Sequence, residues 1–297
     1  MNEIVVGVDF SESAADAARF AHAFGRRLGL DKVLAVHVIN HEELVLRRVV
    51  SGLDDHAELE RLRVEVASWL EAATGSNVFE VHIGQGNASQ VLSGVASERS
   101  ASLLVVAQTG KGAFGKAVLG STASRLAHRP PCPMIIKHPG SFDALDAPHM
   151  MAALDFSNPS RQAARQAAAL SRTLGGRLHL LHVINLPSLV PTGGDAQLIP
   201  QTMAEHIGQA TDWAREQLEE LVVSEIESHG KLDVQLEIST GYPTQEIVHV
   251  AREEMVDLLV VGCSGRSAMA DFLMGSVAMG VVKHMPCTLL LTPESKE

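Results

Sequence analysis

One pattern occurs twice in this chain at a fixed spacing. In the second half Asp257-Leu258-Leu259-Val260-Val261 runs into Gly262-Cys263-Ser264-Gly265, and after nine further residues comes Gly275-Ser276-Val277. In the first half Leu103-Leu104-Val105-Val106 leads to Gly110, and later to Gly120-Ser121-Thr122. Gly110 and Gly265, Gly120 and Gly275, Pro131-Cys132 and Pro286-Cys287, and Gly86 and Gly241 all stand 155 residues apart. Asp9 and Asp155 are separated by 146, and His37-Val38 and His182-Val183 by 145, so the second copy grows by ten residues between its second strand and its middle helix. Whatever architecture the first half takes, the second must repeat it.

The repeated unit alternates short apolar runs with helical stretches. Residues 4–8, 33–39, 78–83, 103–106 and 134–137 predict strands, most of them continuously apolar in the manner of parallel strands covered on both faces. Between the first two, Ala14, Ala17, Ala18, Ala21, Phe24 and Leu28 recur on one side of a helix that Gly29 stops. Residues 41–53 are expected to be irregular or partly helical. An amphipathic helix over 54–74 places Leu59, Leu62, Val66, Trp69 and Ala73 on its buried side. Helices at residues 88–98 and up to about 128 complete the half. Helices separating short strands imply parallel strands joined by right-handed crossovers. Residues 141–148 read as a linker between a first domain, 1–140, and a second, 149–297. The second half repeats the plan, with strands at 150–154, 178–184, 234–238, 257–261 and 288–291. Residues 186–200 are expected to form a loop, its Gly193-Gly194 serving as a connector or a lid, and a long helix covers 201–228.

The glycine stretch carries the chemistry. Glycine lets the backbone come close and adopt conformations closed to other residues. A strand emptying into such a loop and then into a helix start directs N–H groups at an anion. A turn followed by a capped helix explains one copy equally well; two copies favour the cradle. Lys111 and Lys116 in the first loop, and Arg266 and Asp271 in the second, either flank that cradle or belong to a solvated surface. Ala107 occupies the place of Gly262, a substitution of little cost at negative φ and a distorting one at positive φ.

Composition excludes other classes. The chain has 297 residues, 46% hydrophobic and 20% charged, enough for two sizeable cores. A net charge of −11 opposes a general nucleic-acid binder. No apolar run approaches membrane-spanning length, and no basic region with an apolar core precedes residue 4, which predicts a cytoplasmic protein without a membrane partner. Cys132, Cys263 and Cys287 lack metal-type spacing, and the spacing of the histidines suggests no protein-ligated metal. His37 and His182 read as core histidines, and Asp9 and Asp155 either serve a ligand or cap their helices. No residue stands out as catalytic.

Together, Gly262-x2-Gly265-x9-Gly275-Ser276, an aspartate ending the first strand and a His-Val pair ending the second resemble the universal stress protein family, in tandem over nearly the whole chain. The resemblance implies two doubly wound α/β domains, each a parallel five-stranded sheet of order 3-2-1-4-5 flanked by helices, of the adenine-nucleotide alpha-hydrolase-like type. It implies ATP as ligand, with Mg2+ held by the phosphates. Asp155 would approach the adenine or ribose, and Val183 would meet adenine through its backbone. Gly262 and Gly265 would line the phosphate loop, and Gly275, Ser276 and Val277 would hold phosphates. The matching first-half residues are Asp9, Val38, Gly110, Gly120, Ser121 and Thr122. Three functions fit: an ATP-dependent stress or regulatory module with a protein partner of unknown identity, a slow ATPase or phosphotransferase, and a scaffold with vestigial sites. The family's edge strands imply that the two domains pair through residues 134–137 and 288–291, and that a homodimer is available.

Overall fold

Runs of Val, Leu, Ile and Ala become strands, and the glycines and small polar residues between them become turns and helix caps. The computed structural model describes residues 3–30, 32–110, 119–142, 145–185, 201–264 and 274–294. These divide into two compact units, residues 1–145 with 288–293, and residues 146–287 with 294–297.

The first unit runs β1 (Glu3–Val8), α1 (Glu12–Leu28), β2 (Lys32–Ile39), α2 (His41–Ser51), α3 (Asp55–Thr74), β3 (Phe79–Gln85), α4 (Ala88–Glu98), β4 (Leu103–Ala107), α5 (Ser121–His128) and β5 (Met134–Lys137). Its strands lie in the order β3-β2-β1-β4-β5, all parallel. The sheet is dry because both faces are covered: α1 packs with α3, and α4 with α5, as right-handed crossovers on opposite faces require. Ile4, Val5 and Val6 are fully buried, as are Ala17, Ala18 and Ala21 on the inner side of α1.

The second unit repeats the plan: β6 (His149–Leu154), α6 (Asn158–Leu174), β7 (Arg177–Asn185), α7 (Gln201–Leu221), β8 (Val234–Gly241), α8 (Pro243–Glu253), β9 (Leu258–Gly262) and α9 (Ser276–Lys283), with parallel order β8-β7-β6-β9. The register is conserved between the copies. Glu3 faces Lys32 and Val8 faces His37, as His149 faces Arg177 and Leu154 faces His182. The expected loop at residues 186–200, with Gly193-Gly194, lies outside the described residues. None of the described helices is long and apolar enough to cross a membrane.

Two elements differ from expectation. Residues 41–53 hold a full helix, α2, because Asn40 Oδ1 accepts the Glu43 N–H at 2.8 Å and Gly52 turns left-handed at its end. Arg47 of α2 reaches Glu58 and Glu65 of α3; Glu58 is fully buried, and Arg61 donates to it at 2.7 Å. The helix expected over 201–228 loosens after Leu221 into a π-helical turn, Val222–Ile226, and a 3-10 turn, Glu227–His229.

The chain's last strand, β10 (Thr288–Thr292), belongs with the first unit. It runs antiparallel to β5, placing Leu289 opposite Ile136, Leu290 opposite Ile135 and Leu291 opposite Met134. The Thr288 N–H donates to Ser141 Oγ at 2.7 Å, fixing where the ladder begins. An apolar edge that would template association is thereby closed. Leu290 is 3% exposed and Ile135 fully buried. Leu290→Ala is therefore expected to lower unfolding stability by about 2–5 kcal/mol, the range for a buried leucine truncated to alanine. Urea unfolding would measure it; a loss under about 1 kcal/mol, an ordinary surface-type effect, would show that the β5–β10 ladder contributes little.

Candidate functional site

The carboxyl ends of the parallel strands form a crevice in each unit. In an open α/β sheet this is where crossovers part to opposite faces and leave room for a ligand. In the second unit the crevice is a cleft of about 480 Å³, lined by the ends of β6, β7 and β9, the start of α9, and Trp213 of α7. In the first it is about 340 Å³, lined by the ends of β1, β2 and β4 and the start of α5.

One wall is a strand-end turn of the sequence Asp-Phe-Ser, present in both copies. Ser157 donates its N–H at 3.0 Å and its hydroxyl at 2.5 Å to Asp155 Oδ1. Ser11 does the same to Asp9, at 3.1 and 2.5 Å. The serine hydroxyls then accept from the helix: Ala14 N–H at 3.1 Å, Ser160 N–H at 3.4 Å. Serine is thus the cap, and the aspartate holds the serine. The intervening phenylalanines, Phe10 and Phe156, both take left-handed φ of 64°. For a residue with a side chain this costs about 1–2 kcal/mol. Aromatic packing compensates: Phe10 lies against His37 and edge-on to Trp69, and Phe156 against His182 and edge-on to Trp213.

The histidines complete this wall. His37 Nδ1 is 2.9 Å from the Val8 carbonyl, and His182 Nδ1 is 2.7 Å from that of Leu154, one residue before each aspartate. Each ring binds the end of one strand to the next. Burial pushes His37 below the ordinary imidazole value, against the opposing effect of the Val8 bond, and keeps it neutral. They are the core histidines the sequence suggests.

The facing wall is the glycine loop. Its two ends are tied identically: Gly120 N–H donates to Gln108 O at 2.7 Å, and Gly275 N–H to Cys263 O at 2.8 Å. Gly120 and Gly275 are also the N-caps of α5 and α9, with nearly the same backbone angles and no side-chain cap bond. By contrast α1, α2, α3, α4 and α6 are capped by Ser11, Asn40, Asp54, Asn87 and Ser157. The remaining helix whose N-cap is described, α8, opens on Pro243, whose ring removes a donor. Among the helices whose N-caps are described, those that lack a capping side chain and keep their donors are thus the two that open onto the clefts. There the first-turn N–H groups and the positive end of the helix dipole favour an anion.

All the sequence-predicted residues within the described segments meet in these clefts. Asp155, Val183, Gly262, Gly275, Ser276 and Val277 line the larger one, and Asp9, Val38, Gly110, Gly120, Ser121 and Thr122 the smaller. Gly265 lies outside the described residues, as do Lys111, Lys116, Arg266 and Asp271. No Lys or Arg is among the described residues lining either cleft. Sequence reasoning did not find the left-handed phenylalanines or Trp213 as a lining residue; the recurrence of Asp-Phe-Ser was the available signal. Cys263 also lines the larger cleft, its thiol pushed up to about 12 by burial and thus held protonated and unreactive.

The alanine at 107 has a steric explanation. Neither Gly262 nor Ala107 has positive φ. A Cβ on Gly262 would stand 2.9 Å from the carbonyl carbon and oxygen of Pro159, at the start of α6. Glycine is needed in the second unit for close approach, whereas the first accommodates a methyl group. Gly110 has a related reason, since a Cβ there would lie 2.5 Å from Asp9 Oδ2.

The family model described as "Universal stress protein family" matches residues 1–138 and 148–293. A universal stress protein of Mycobacterium tuberculosis, Rv2624c, is 28% identical over an alignment of 312 positions, spanning 98% of this chain and 96% of that one. A universal stress protein of Methanocaldococcus jannaschii, MJ0531, is 27% identical over 145 residues, 48% of this chain and 80% of that one. Among solved structures, a universal stress protein from Archaeoglobus fulgidus superposes with a TM-score of 0.68 at 20% identity, covering 99% of each chain. That likeness is one of fold.

The close approach at Gly262 generates an asymmetric expectation. Gly262→Ala should destabilise the protein by about 1–3 kcal/mol, the range for overpacking against atoms that cannot yield. Ala107→Gly should cost no more than about 1 kcal/mol, the backbone-entropy effect alone. Equal melting-temperature shifts for the two variants would contradict the steric account.

Proposed function

The chain belongs to the universal stress protein family, and from that premise we propose that both clefts bind an adenine nucleotide, ATP in the first instance, and that occupancy regulates the protein's interactions in a stress response. One observation carries the reading. In each unit an uncapped helix start faces a strand-end carboxylate across a single crevice. The positive end suits a polyphosphate, and the carboxylate suits hydroxyl or amino donors of a nucleoside. Both cavity volumes fall within the roughly 300–1,000 Å³ of small-molecule sites.

The roles follow from position. First-turn N–H groups of α9, with the Ser276 hydroxyl, receive phosphate oxygens; Ser121 and Thr122 do so at α5. Gly262 keeps β9 close to α6, and so keeps the cleft floor narrow. Asp155 and Asp9, each holding its serine through Oδ1, line the clefts on the side where the base or ribose would lie. Val183 and Val38 offer main-chain groups and apolar surface near the ends of β7 and β2. Where Mg2+ accompanies the nucleotide, the phosphates hold it. The larger cleft, with Trp213 and Ile247 on its walls, has more apolar surface for a base.

Among the described residues, the clefts are built to position phosphates rather than to activate a nucleophile. The imidazole lining the larger cleft, His182, has Nδ1 engaged with Leu154 O and its ring against Phe156. ATP hydrolysis is therefore expected to run far below the roughly 10 per second typical of enzymes. A steady-state rate of that order, lost on substitution of Gly275, would overturn the binding-module reading in favour of an ATPase.

Binding itself is tested by titration calorimetry on variants. Gly275→Val in a Gly120→Val background is expected to abolish ATP binding, and each single variant to leave one site. Ser276→Ala should weaken the second site by roughly 1.5–3 kcal/mol, the range for a hydrogen bond to a charged group. Asp155→Asn keeps an acceptor for Ser157, so it should lower nucleotide affinity at an unchanged melting temperature. A double glycine variant that binds ATP like the parent would defeat the proposal.

A further inference from the structure

The opposite end of the second unit's sheet carries side chains the cleft does not use. His149 opens β6, and His179 lies on β7, where Met151 is its ladder partner. Their rings are stacked, with centroids 5.9 Å apart and planes 7° from parallel. Glu254, the C-cap of α8, comes alongside: one ligand atom from each of the three lies within 4.8 Å of the others. His149 is 5% exposed and His179 fully buried. His149 Nε2 and both nitrogens of His179 lack hydrogen-bond partners; His179 Nε2 stands 3.0 Å from Glu237 Oε2 without forming one. Buried polar atoms left unpaired are costly, and here several share one spot.

The other repeat shows what the fold alone requires there. Met151 faces His179 as Val5 faces Leu34, so the fully buried His179 stands where the first unit has a buried leucine. His149 stands in the place of Glu3, and Glu254 in that of Arg99, which approach each other at 4.0 Å as an ordinary ion pair. Two imidazoles and a carboxylate thus replace a leucine and an ion pair.

We propose that His149, His179 and Glu254 form a site for a divalent transition-metal cation of the zinc class, separate from the nucleotide clefts. Imidazole and carboxylate ligands are those zinc takes. His149 Nδ1 lies 2.9 Å from the Glu254 carbonyl; in the tautomer protonated there it donates to that oxygen, the outer bond that orients a ligating histidine, and leaves the Nε2 lone pair for the metal. Arg177 Nη2 lies 2.9 Å from the same Nδ1. That contact and the metal-ready tautomer exclude each other, and the exposed Arg177 side chain can turn to water. Nearby carboxylates offset its charge: Asp257 accepts the His149 N–H at 2.8 Å, and Glu237 stands beside His179. In a tetrahedral site with bonds of about 2.0–2.2 Å, ligand atoms are roughly 3.4 Å apart. The three therefore close in on the metal, chiefly by movement of the half-buried Glu254. Water or Glu237 fills the fourth position. A bound ion ties β6, β7 and α8 together, so it stabilises this unit. The ligands are 30 and 75 residues apart in sequence, beyond the reach of spacing rules.

The test uses the untagged full chain, freed of metal by chelation and studied without nucleotide. Zn2+ is expected to bind at one equivalent by titration calorimetry and to raise the melting temperature, and Co2+ to give the visible absorption of a tetrahedral site. His179→Leu should remove both the binding and the Co2+ spectrum, while the metal-free variant melts no lower than the metal-free parent, as Leu34 implies. Glu254→Gln, at a half-buried position, should weaken Zn2+ at least tenfold with its fold intact, and so decides the matter even where His179→Leu fails to fold. A stripped parent that takes up no Zn2+ at micromolar concentration, or variants that bind it like the parent, would overturn the proposal.

Discussion

A parallel strand covered by helices on both faces can show chemistry only at its ends. β1 and β6 illustrate the constraint: their middle residues are fully buried, and each is flanked by a strand on either side. Function must then collect where the strands stop. At the carboxyl end of β6 the chain turns through Asp155, Phe156 and Ser157; at the amino end it presents His149. The two are roughly 20 Å apart, six residues at about 3.3 Å each. The proposed nucleotide cleft and the proposed metal site are thus opposite ends of one strand.

At the carboxyl end, stability and function share residues. The aspartate holds the serine that caps the helix, and the histidine from the neighbouring strand holds the carbonyl just before it. Phenylalanine is kept left-handed by ring packing rather than by backbone preference. A network this interlocked gives the cleft a preformed wall, so a ligand need not supply the entropy of ordering it. The facing wall follows the opposite principle: α9 and α5 start without a capping side chain, and their donors are left for whatever enters.

Much of this was legible in the sequence. The succession of strands and helices, the parallel pairing and the glycine cradle follow from a duplication, apolar runs and glycine spacing, whereas the strand order and the remaining residues gathered at the clefts follow from the resemblance to the universal stress protein family. What sequence reasoning missed has identifiable causes. Residues 41–53 carry little helical patterning, since Val45, Leu46, Val49 and Val50 are exposed, yet Asn40 and Gly52 delimit a helix. The left-handed conformation of Phe10 and Phe156 runs against the expectation that glycine takes such places, because the rings that secure it come from residues far away in sequence. The three metal-ligand candidates are likewise distant in sequence, and only the register of β6 with β7 and the end of α8 brings them together.

Duplication also supplies a control that a single domain lacks. Where the copies agree, at the Asp-Phe-Ser turn and the loop-closing glycines, the shared residues mark what the cleft requires. Where they differ, the fold tolerates either choice, and the difference points to something else. Ala107 against Gly262 is a difference of packing, explained by how near Pro159 comes in the second unit. Leu34 against His179 cannot be explained that way, because both positions are buried and leucine satisfies the sheet without leaving a nitrogen unpaired. A buried polar side chain in place of an apolar one is retained against its desolvation cost. In the second unit, what offsets that cost lies beyond the fold itself, in a group that His149, His179 and Glu254 can jointly hold.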